Sequence, residues 1–538
     1  MSGKVNRSWK DKSPKELIRN NWEFITSLLV LWGLMVGLLI YSFNLNEGHI
    51  IYALDDAYIH MAIAKNFSRY GVWGITKKKF SSSSSSLLYT LLLSLIFLFG
   101  PNELVPLIIN LIFANILLYI VFYIFKIKYN IPSYSIFSCL LLMIFFIPLH
   151  FLVFTGMEHT IQITIDILFV YYALKIICNE NLNQKKILVR KERSISFLED
   201  KYFFILAPLV TMVRFEGMFL IIIISFLFLL RKSLSYSTIV LLLGFLPIII
   251  FGMISLYNGW YFFPNSVILK GNIIQFTFPA ILELFLSFID ELFQNYHIGI
   301  LLVGALWIFL FRYKKKKSIW NEPSIMAVIF MGVTLLHILL IGSTLKNQNL
   351  SRYDGYIIAL GIIMLFLSIK DAIPKRFSMA SFRDYLSDIK KDIKIKYLQV
   401  ISVVLIVIIF FWIFIPRSFR LIRDTPQATN NIYEQQYQMG LFLEKYYEGE
   451  VIAVNDIGAV NYLTDIKCID LRGLGSHEVA DAIQKDKLDE DFVDKITKEK
   501  RCKIAIIYEE KDYGYDIPED WIKAGEWEIK NNVVCGDD

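Results

Sequence analysis

Asp55 and Asp56 stand side by side at the head of a short helical pattern, and either carboxylate can take a proton from an attacking hydroxyl. Four further motifs supply complementary groups: Gly156-Met157-Glu158-His159, Arg214-Phe215-Glu216-Gly217, Pro264-Asn265-Ser266 with Lys270, and Ser351-Arg352-Tyr353-Asp354. Arg214, Lys270, Arg352 and His60 are the types that hold a leaving phosphate, and Glu158 and Glu216 suit substrate hydroxyls or the orientation of those cations. Such an inventory fits transfer of a group from a phosphate to a hydroxyl. Each motif alone also has a structural explanation, since Asp before an apolar run caps a helix and Arg214 can pair locally with Glu216.

The elements that must position these residues are membrane helices. The 538 residues are 55% hydrophobic and 15% aromatic, with a mean hydropathy of +0.50, which is too apolar for one soluble core. The net charge of +6 does not mark a nucleic-acid surface, because Lys and Arg cluster between apolar runs and read as topology signals. Residues 22–43 form a retained first span with its amino end in the cytoplasm. After Asp55 and Asp56 comes the Ser81 to Ser86 run, which composition reads as a mobile linker. Residues 87–99 are too short to span and read as an interfacial helix.

Further spans fall at 104–125, 134–154, 160–177, 238–256, 298–311, 324–341, 356–369 and 397–415. Residues 201–231, basic at both ends, read as two short helices meeting at Arg214-Phe215-Glu216-Gly217. The total is about eleven spans of ~20 residues, with every sharp motif on the outer face. From residue 417 the composition becomes that of a soluble domain. Strand-like runs at 451–455, 467–471 and 502–508 suggest a small α/β unit, in which Asp456-Ile457-Gly458 is a packing turn. The expected domains are 1–416 in the membrane and 417–538 outside it. The five cysteines, including Cys468, Cys502 and Cys535 in the tail, show no metal-ligand spacing.

In order and sidedness these motifs resemble the GT-C superfamily of integral-membrane glycosyltransferases that use polyprenyl-phosphate sugars, particularly the arabinofuranosyltransferase-like branch. The resemblance rests on Asp55-Asp56-Ala57-Tyr58-Ile59, Gly156-Met157-Glu158, Arg214-Phe215-Glu216-Gly217, Pro264-Asn265-Ser266 with Lys270, and Arg352-Tyr353. It extends to Asn455-Asp456-Ile457-Gly458-Ala459 and Ile469-Asp470-Leu471-Arg472-Gly473-Leu474 in the tail. Members commonly carry Pro where Phe215 stands and Thr or Ser near His159, so the sugar-facing details differ.

The resemblance implies a polytopic α-helical membrane protein of GT-C type with interfacial helices in the first outer loop and a small C-terminal extracytoplasmic α/β domain. A plasma-membrane location is implied with it. It implies Asp55, Asp56 and Glu158 as catalytic carboxylates, with Asp55 preferred as base. His60, Arg214, Lys270 and Arg352 would bind the donor phosphate, and Tyr58, Glu216, Asn265 and Asp354 the substrate. The partners are a polyprenyl-phosphate sugar, a glycan, lipid or protein acceptor, and membrane lipids. No cofactor is fixed, and a divalent cation stays open. A transporter or flippase is the competing class, but the chain shows one broken segment and no internal repeat. A receptor would leave Asp55 and Asp56 unexplained.

Overall fold

A computed structural model describes residues 16, 19–179, 190–269, 278–314, 318–341, 352–371, 393–508 and 517–534. The chain is mostly helical. Among the described residues six helices are long and apolar enough to cross a membrane: Trp22–Leu45, Leu104–Lys128, His159–Ile177, Leu234–Tyr257, Tyr296–Lys314 and Glu322–Ile341. Leu87–Phe97, Ser133–Phe146, Gly217–Leu230 and Gly355–Ile369 are shorter apolar helices.

Helix α1 (Trp22–Leu45) shows why these helices suit lipid. It buries Ser27, Leu31, Met35, Leu38 and Ser42 on one side and exposes Leu29, Trp32, Val36 and Ile40 on another. Exposed side chains of this size each cost ~1.5–3 kcal/mol in water and nothing comparable against acyl chains. Helix α2 (Asp56–Tyr70) ends at Gly71, whose φ of 68° closes it in the left-handed conformation that the sequence pattern predicts. Helix α3 (Leu87–Phe97) is capped by Ser86, whose hydroxyl accepts from the Tyr89 N–H. At 1.5 Å per residue it reaches about half the hydrocarbon thickness.

Between α2 and α3 the Ser81 to Ser86 run departs from the mobile linker expected of its composition. Ser81, Ser82, Ser83, Ser84 and Ser86 are buried, and the run is tied to its surroundings by Ser81 N–H to Trp73 O and Ser255 Oγ to Ser82 Oγ. Small hydroxyl side chains let the backbone thread between helices and satisfy its polar groups there.

Helix α4 (Leu104–Tyr123) continues as a π turn, Ile124–Lys128, and Lys126 pairs with Glu23 at the start of α1 at 2.6 Å. The expected single span over 134–154 is broken into α5 (Ser133–Phe146) and α6 (Leu149–Phe154). Pro148 lies in the break and cannot donate to the helical ladder. Helix α7 (His159–Ile177) follows and is the most enclosed of the six.

Helices α8 (Arg190–Val213) and α9 (Gly217–Leu230) are separate and fold back on each other, since Phe203 meets Phe228 with ring centroids 5.7 Å apart. Their junction needs glycine, because a Cβ on Gly217 would overlap the Val210 carbonyl. The two-helix expectation for this stretch therefore matches the structure. Helix α10 (Leu234–Tyr257) leads to the four-residue α11 (Asn265–Ile268), followed by α12 (Phe278–Gln294), α13 (Tyr296–Lys314), α14 (Glu322–Ile341) and α15 (Gly355–Ile369). Lys370, just past α15, pairs with Glu322 at the start of α14 at 2.7 Å.

Helix α16 (Ile393–Ile432) runs unbroken through Pro416 and Pro426, so no linker separates membrane and tail at the boundary expected at residue 416. Arg417 fixes this crossing by donating to the Phe146 carbonyl at 2.7 Å and to both oxygens of Asp354. After a π turn (Tyr433–Tyr437) and α17 (Gln438–Tyr446) comes a three-stranded parallel sheet in the order β2-β1-β3. Its strands are β1 (Val451–Val454), β2 (Lys467–Asp470) and β3 (Ile504–Ile506), joined by α18 (Ala459–Leu463), α19 (His477–Gln484) and α20 (Glu490–Glu499). Strand alternation sends Ile452 and Val454 into one core with Ile59, Ile63 and Ile75, and Ala453 into another with Val479 and Val493. One face of the tail sheet thus shares a core with α2, which packs on α18.

Candidate active site

The two neighbouring aspartates diverge. Successive residues on a helix point about 100° apart, and here they meet different partners. The Asp55 carboxylate accepts the backbone N–H groups of Gly458 and Ala459 at 2.7 and 2.8 Å, so it plugs the start of α18 in the tail. Gly458 is required by this approach, because a Cβ there would overlap the Asp55 carbonyl. Asp56 turns the other way and pairs through Oδ2 with Arg352 Nη1 at 2.7 Å.

Burial, reinforced by the nearby Asp456 carboxylate, pushes Asp55 up to about 8, against the pull of the two amide donors. A carboxyl raised above its unfolded value gives stability that is complete below the unfolded pKa and is lost as pH rises through the folded one. Docking of the tail on α2 is therefore expected to loosen between about pH 4 and pH 8. Limited proteolysis of the tail should accelerate across that window in the wild type and stay flat in Asp55→Asn; equal profiles would show that Asp55 does not set the dependence.

Around Asp56 the other motifs converge. Arg214 Nη1 donates to Glu158 Oε1 at 2.6 Å, and its Nε and Nη2 form a fork on Glu216 at 3.1 and 2.6 Å. Glu158 is wholly buried at the start of α7, and its other oxygen lies 3.5 Å from His60 Nε2. The Tyr353 ring lies within reach of two guanidinium groups, its centroid 5.2 Å from that of Arg214 and 4.8 Å from that of Arg352. The ring attracts both cations, and Arg352 Nη2 also donates to its hydroxyl at 3.1 Å.

Ser85, His60 and Glu158 superficially suggest a nucleophilic triad. In a triad the nucleophile and the acid take opposite ring nitrogens. Here both approach Nε2, Ser85 Oγ at 3.5 Å and Glu158 at 3.5 Å, while Nδ1 meets Thr90 at 2.9 Å and Ser84 at 3.3 Å. The cluster is an orienting network for His60 and Glu158.

These groups border a cavity of about 340 Å³. Its polar lining includes Asp56, His60, Ser85, Arg214, Glu216 and Tyr353, and its apolar lining Phe215, Met218, Phe219, Phe263, Leu340 and Ile341. The tail contributes Leu474. The turn that carries it is held by Asn265 Nδ2 donating to the Gly473 carbonyl at 2.7 Å, and by the Arg472 and Gly475 N–H groups donating to Asp470. The site is thus built from membrane loops and tail together.

Residues 430–538 match a family model described as a domain of unknown function (DUF8728). No curated protein and no solved structure matches the chain. The matched region takes in the sheet, α18 with the amides that hold Asp55, and the Leu474 turn.

Of the residues singled out by sequence, Asp56, His60, Arg214 and Glu216 line the cavity, and Glu158 and Arg352 pair with its lining. Asn265 is buried and positions the tail turn, with its backbone N–H on Ser82 O at 2.9 Å. Asp55, preferred as the base from sequence, faces the tail and not the cavity. Tyr58 packs among Tyr52, Tyr437 and Tyr462 where loop meets tail. Asp354 binds His297 at 2.8 Å and Arg417, which makes it a clamp between helices. Lys270 lies outside the described residues, as does Cys535. Tyr353, Ser85 and Leu474 have no role assigned from sequence, although Tyr353 stands beside Arg352 and Leu474 ends the Ile469 to Leu474 motif. Among the described residues no three His, Cys, Asp or Glu side chains gather as a metal site.

Proposed function

We propose that the chain is an integral-membrane glycosyltransferase that moves a sugar from a polyprenyl-phosphate donor to a cell-envelope hydroxyl acceptor. In this reading about eleven spans cross the membrane, the amino end is cytoplasmic, and the cavity and tail face outward. The observation that carries it is one cavity lined by the Asp56 and Glu216 carboxylates and the Arg214 guanidinium, with Arg352 paired to Asp56, and otherwise largely by apolar side chains. A phosphate needs the guanidinium groups and a lipid chain the apolar lining.

Arg214 and Arg352 are already neutralised by carboxylates, so a phosphate must displace one of them. Displacement from Arg352 releases Asp56. The acceptor oxygen then attacks the anomeric carbon, the carbon–oxygen bond to phosphate breaks with its electron pair leaving on phosphate, and Asp56 receives the hydroxyl proton. Arg214 and Arg352 stabilise the departing charge.

Incubation of the purified protein in lipid with a panel of polyprenyl-phosphate sugars and oligosaccharide acceptors should release free polyprenyl phosphate. Absence of release across the panel would overturn the reading. The broken helices α5–α6 and α8–α9 favour a second reading, transport of a lipid-linked or anionic substrate. Flip of a fluorescent lipid phosphate in proteoliposomes without release of its head group would select it.

A further inference from the structure

Strand β3 lies at one side of the tail sheet, where among the described residues it pairs with β1 and with no other strand. Lys503, just before β3, donates its N–H to the Val451 carbonyl at 2.9 Å, so by alternation the N–H and carbonyl of Ile504 point away from β1. The Ile504 carbonyl meets the Cys502 thiol there, a weak donor, at 3.2 Å. An edge of this kind is a template for one more strand.

A cavity of about 620 Å³ follows that edge. Ile504 and Ile506 share one core with Met439 and Leu443 of α17, and Ala505 and Ile507 share the other with Val493 and Ile496 of α20. All four of these residues from 504 to 507 border the cavity, and so do Met439 and Lys498 from the two flanking helices. A space that touches both faces of a strand lies along its edge and not over either face. Trp521, Ile522 and Trp527 supply further walls, and the last two are exposed. Among the described residues their segment makes no backbone hydrogen bond to β3. The proposed transfer makes no use of this slot.

A strand edge carries donors and acceptors at strand spacing, and covering it requires partners at the same spacing. Another extended backbone supplies them, and a lipid chain has none. Charge is unevenly spread along the slot. Arg501 and Lys503, both exposed, stand at the amino end of β3, whereas Asp456, held by Gln436 and Tyr508, stands at the carboxyl end. Lys498 and Lys523 also border the slot, but Lys498 is paired with Asp494 and Asp520 and Lys523 with Glu526. Arg501 follows α20 with a φ of 56°, the left-handed position that glycine fills at least cost. The chain keeps a guanidinium there in spite of that cost.

We propose that the free edge of β3 binds an extended segment of another polypeptide as a fourth strand, with acidic side chains where the segment passes Arg501 and Lys503. Its backbone pairs with Ile504 and with the Ile506 N–H. Its alternate side chains turn to the α17 side and the α20 side, where Met439 and Trp521 give apolar surface. Main-chain pairing supplies affinity, and the cations at one end fix which segments fit and in which register.

The test uses the full chain in lipid nanodiscs, panned with a displayed library of random decapeptides after passage over empty nanodiscs. Retained peptides should carry Asp or Glu at one end beside β-branched residues and lack Pro, and the best of them should bind with a Kd below about 100 µM. Arg501→Glu combined with Lys503→Glu should weaken that peptide roughly tenfold or more and, panned anew, should retain basic peptides instead. Both side chains are exposed, so this reversal leaves the fold in place. N-methylation of every second residue of the peptide should abolish binding in one register and spare it in the other, an asymmetry that charge attraction alone does not produce. The proposal is overturned if no peptide is retained beyond empty nanodiscs, if the retained peptides lack an acidic end, if the reversal leaves the selection unchanged, or if both methylated forms bind alike. Retention that appears only once dimers of the chain have been separated would assign the edge to a second copy and likewise overturn it. No sugar donor is present, so either result leaves the transferase reading as it stands.

Discussion

Asp56→Asn is expected to lower sugar transfer by about 10²- to 10⁴-fold, the range for loss of a general base, while the donor still binds. The amide keeps the size of Asp56 and can still sit against Arg352, but it cannot accept the acceptor proton. Asp55→Asn should instead retain most of the turnover measured at neutral pH, because Asp55 faces Gly458 and Ala459. Single-turnover rates with a bound polyprenyl-phosphate sugar distinguish the two. Comparable losses in both variants would place the base elsewhere, with Glu158 the next carboxylate to replace.

The largest expected effect on stability comes from the buried pair Arg214 and Glu158. Their side chains are almost wholly enclosed, and Glu216 completes the fork on the same guanidinium. Removing Arg214 strips two carboxylates of their counter-charge in a poorly solvating interior, and breaking such a pair typically costs ~3–5 kcal/mol, whereas removing Glu158 leaves Arg214 its fork on Glu216. Arg214→Met should therefore lower the thermal unfolding midpoint in lipid more than Glu158→Leu does. The double variant should cost less than the two together, because Glu158 is then not left behind as an uncompensated charge and only Glu216 is. Additive losses in the double variant would mean that the two side chains do not depend on each other.

Much of this architecture is legible in the sequence because it depends on local pattern. The α2 repeat of Ile59 and Ile63, the Gly71 cap, the break at Arg214 to Gly217 and the three tail strands all follow from spacing and composition. The site residues that sequence brings together, Asp56, Glu158, Arg214, Glu216 and Arg352, do meet around one cavity. What composition misreads depends on distant partners. The serine run is ordered by Trp73 and Ser255, which no local pattern connects to it. Asp354 stands two residues after Arg352, yet it is taken by Arg417, 63 positions later. The roles of Asp55 and Asp56 cannot be separated by any periodicity, because they are fixed by which carboxylate the Gly458 turn approaches. The break in 134–154 falls at Pro148, which interrupts the helical ladder inside an otherwise continuous apolar run.

The contact between Asp55 and Gly458 spans 403 positions of chain. A ribosome must therefore pass residue 458 before the segment after the first span meets its partner, and until then the face of α2 that bears Ile59 and Ile63 has no tail to cover it. Leu474, which borders the cavity, arrives with the same late segment. Maturation of the site is consequently tied to completion of synthesis: a chain released early carries its helices but lacks the tail's part of the cavity, so that prematurely terminated products are left without a finished chamber in which to react.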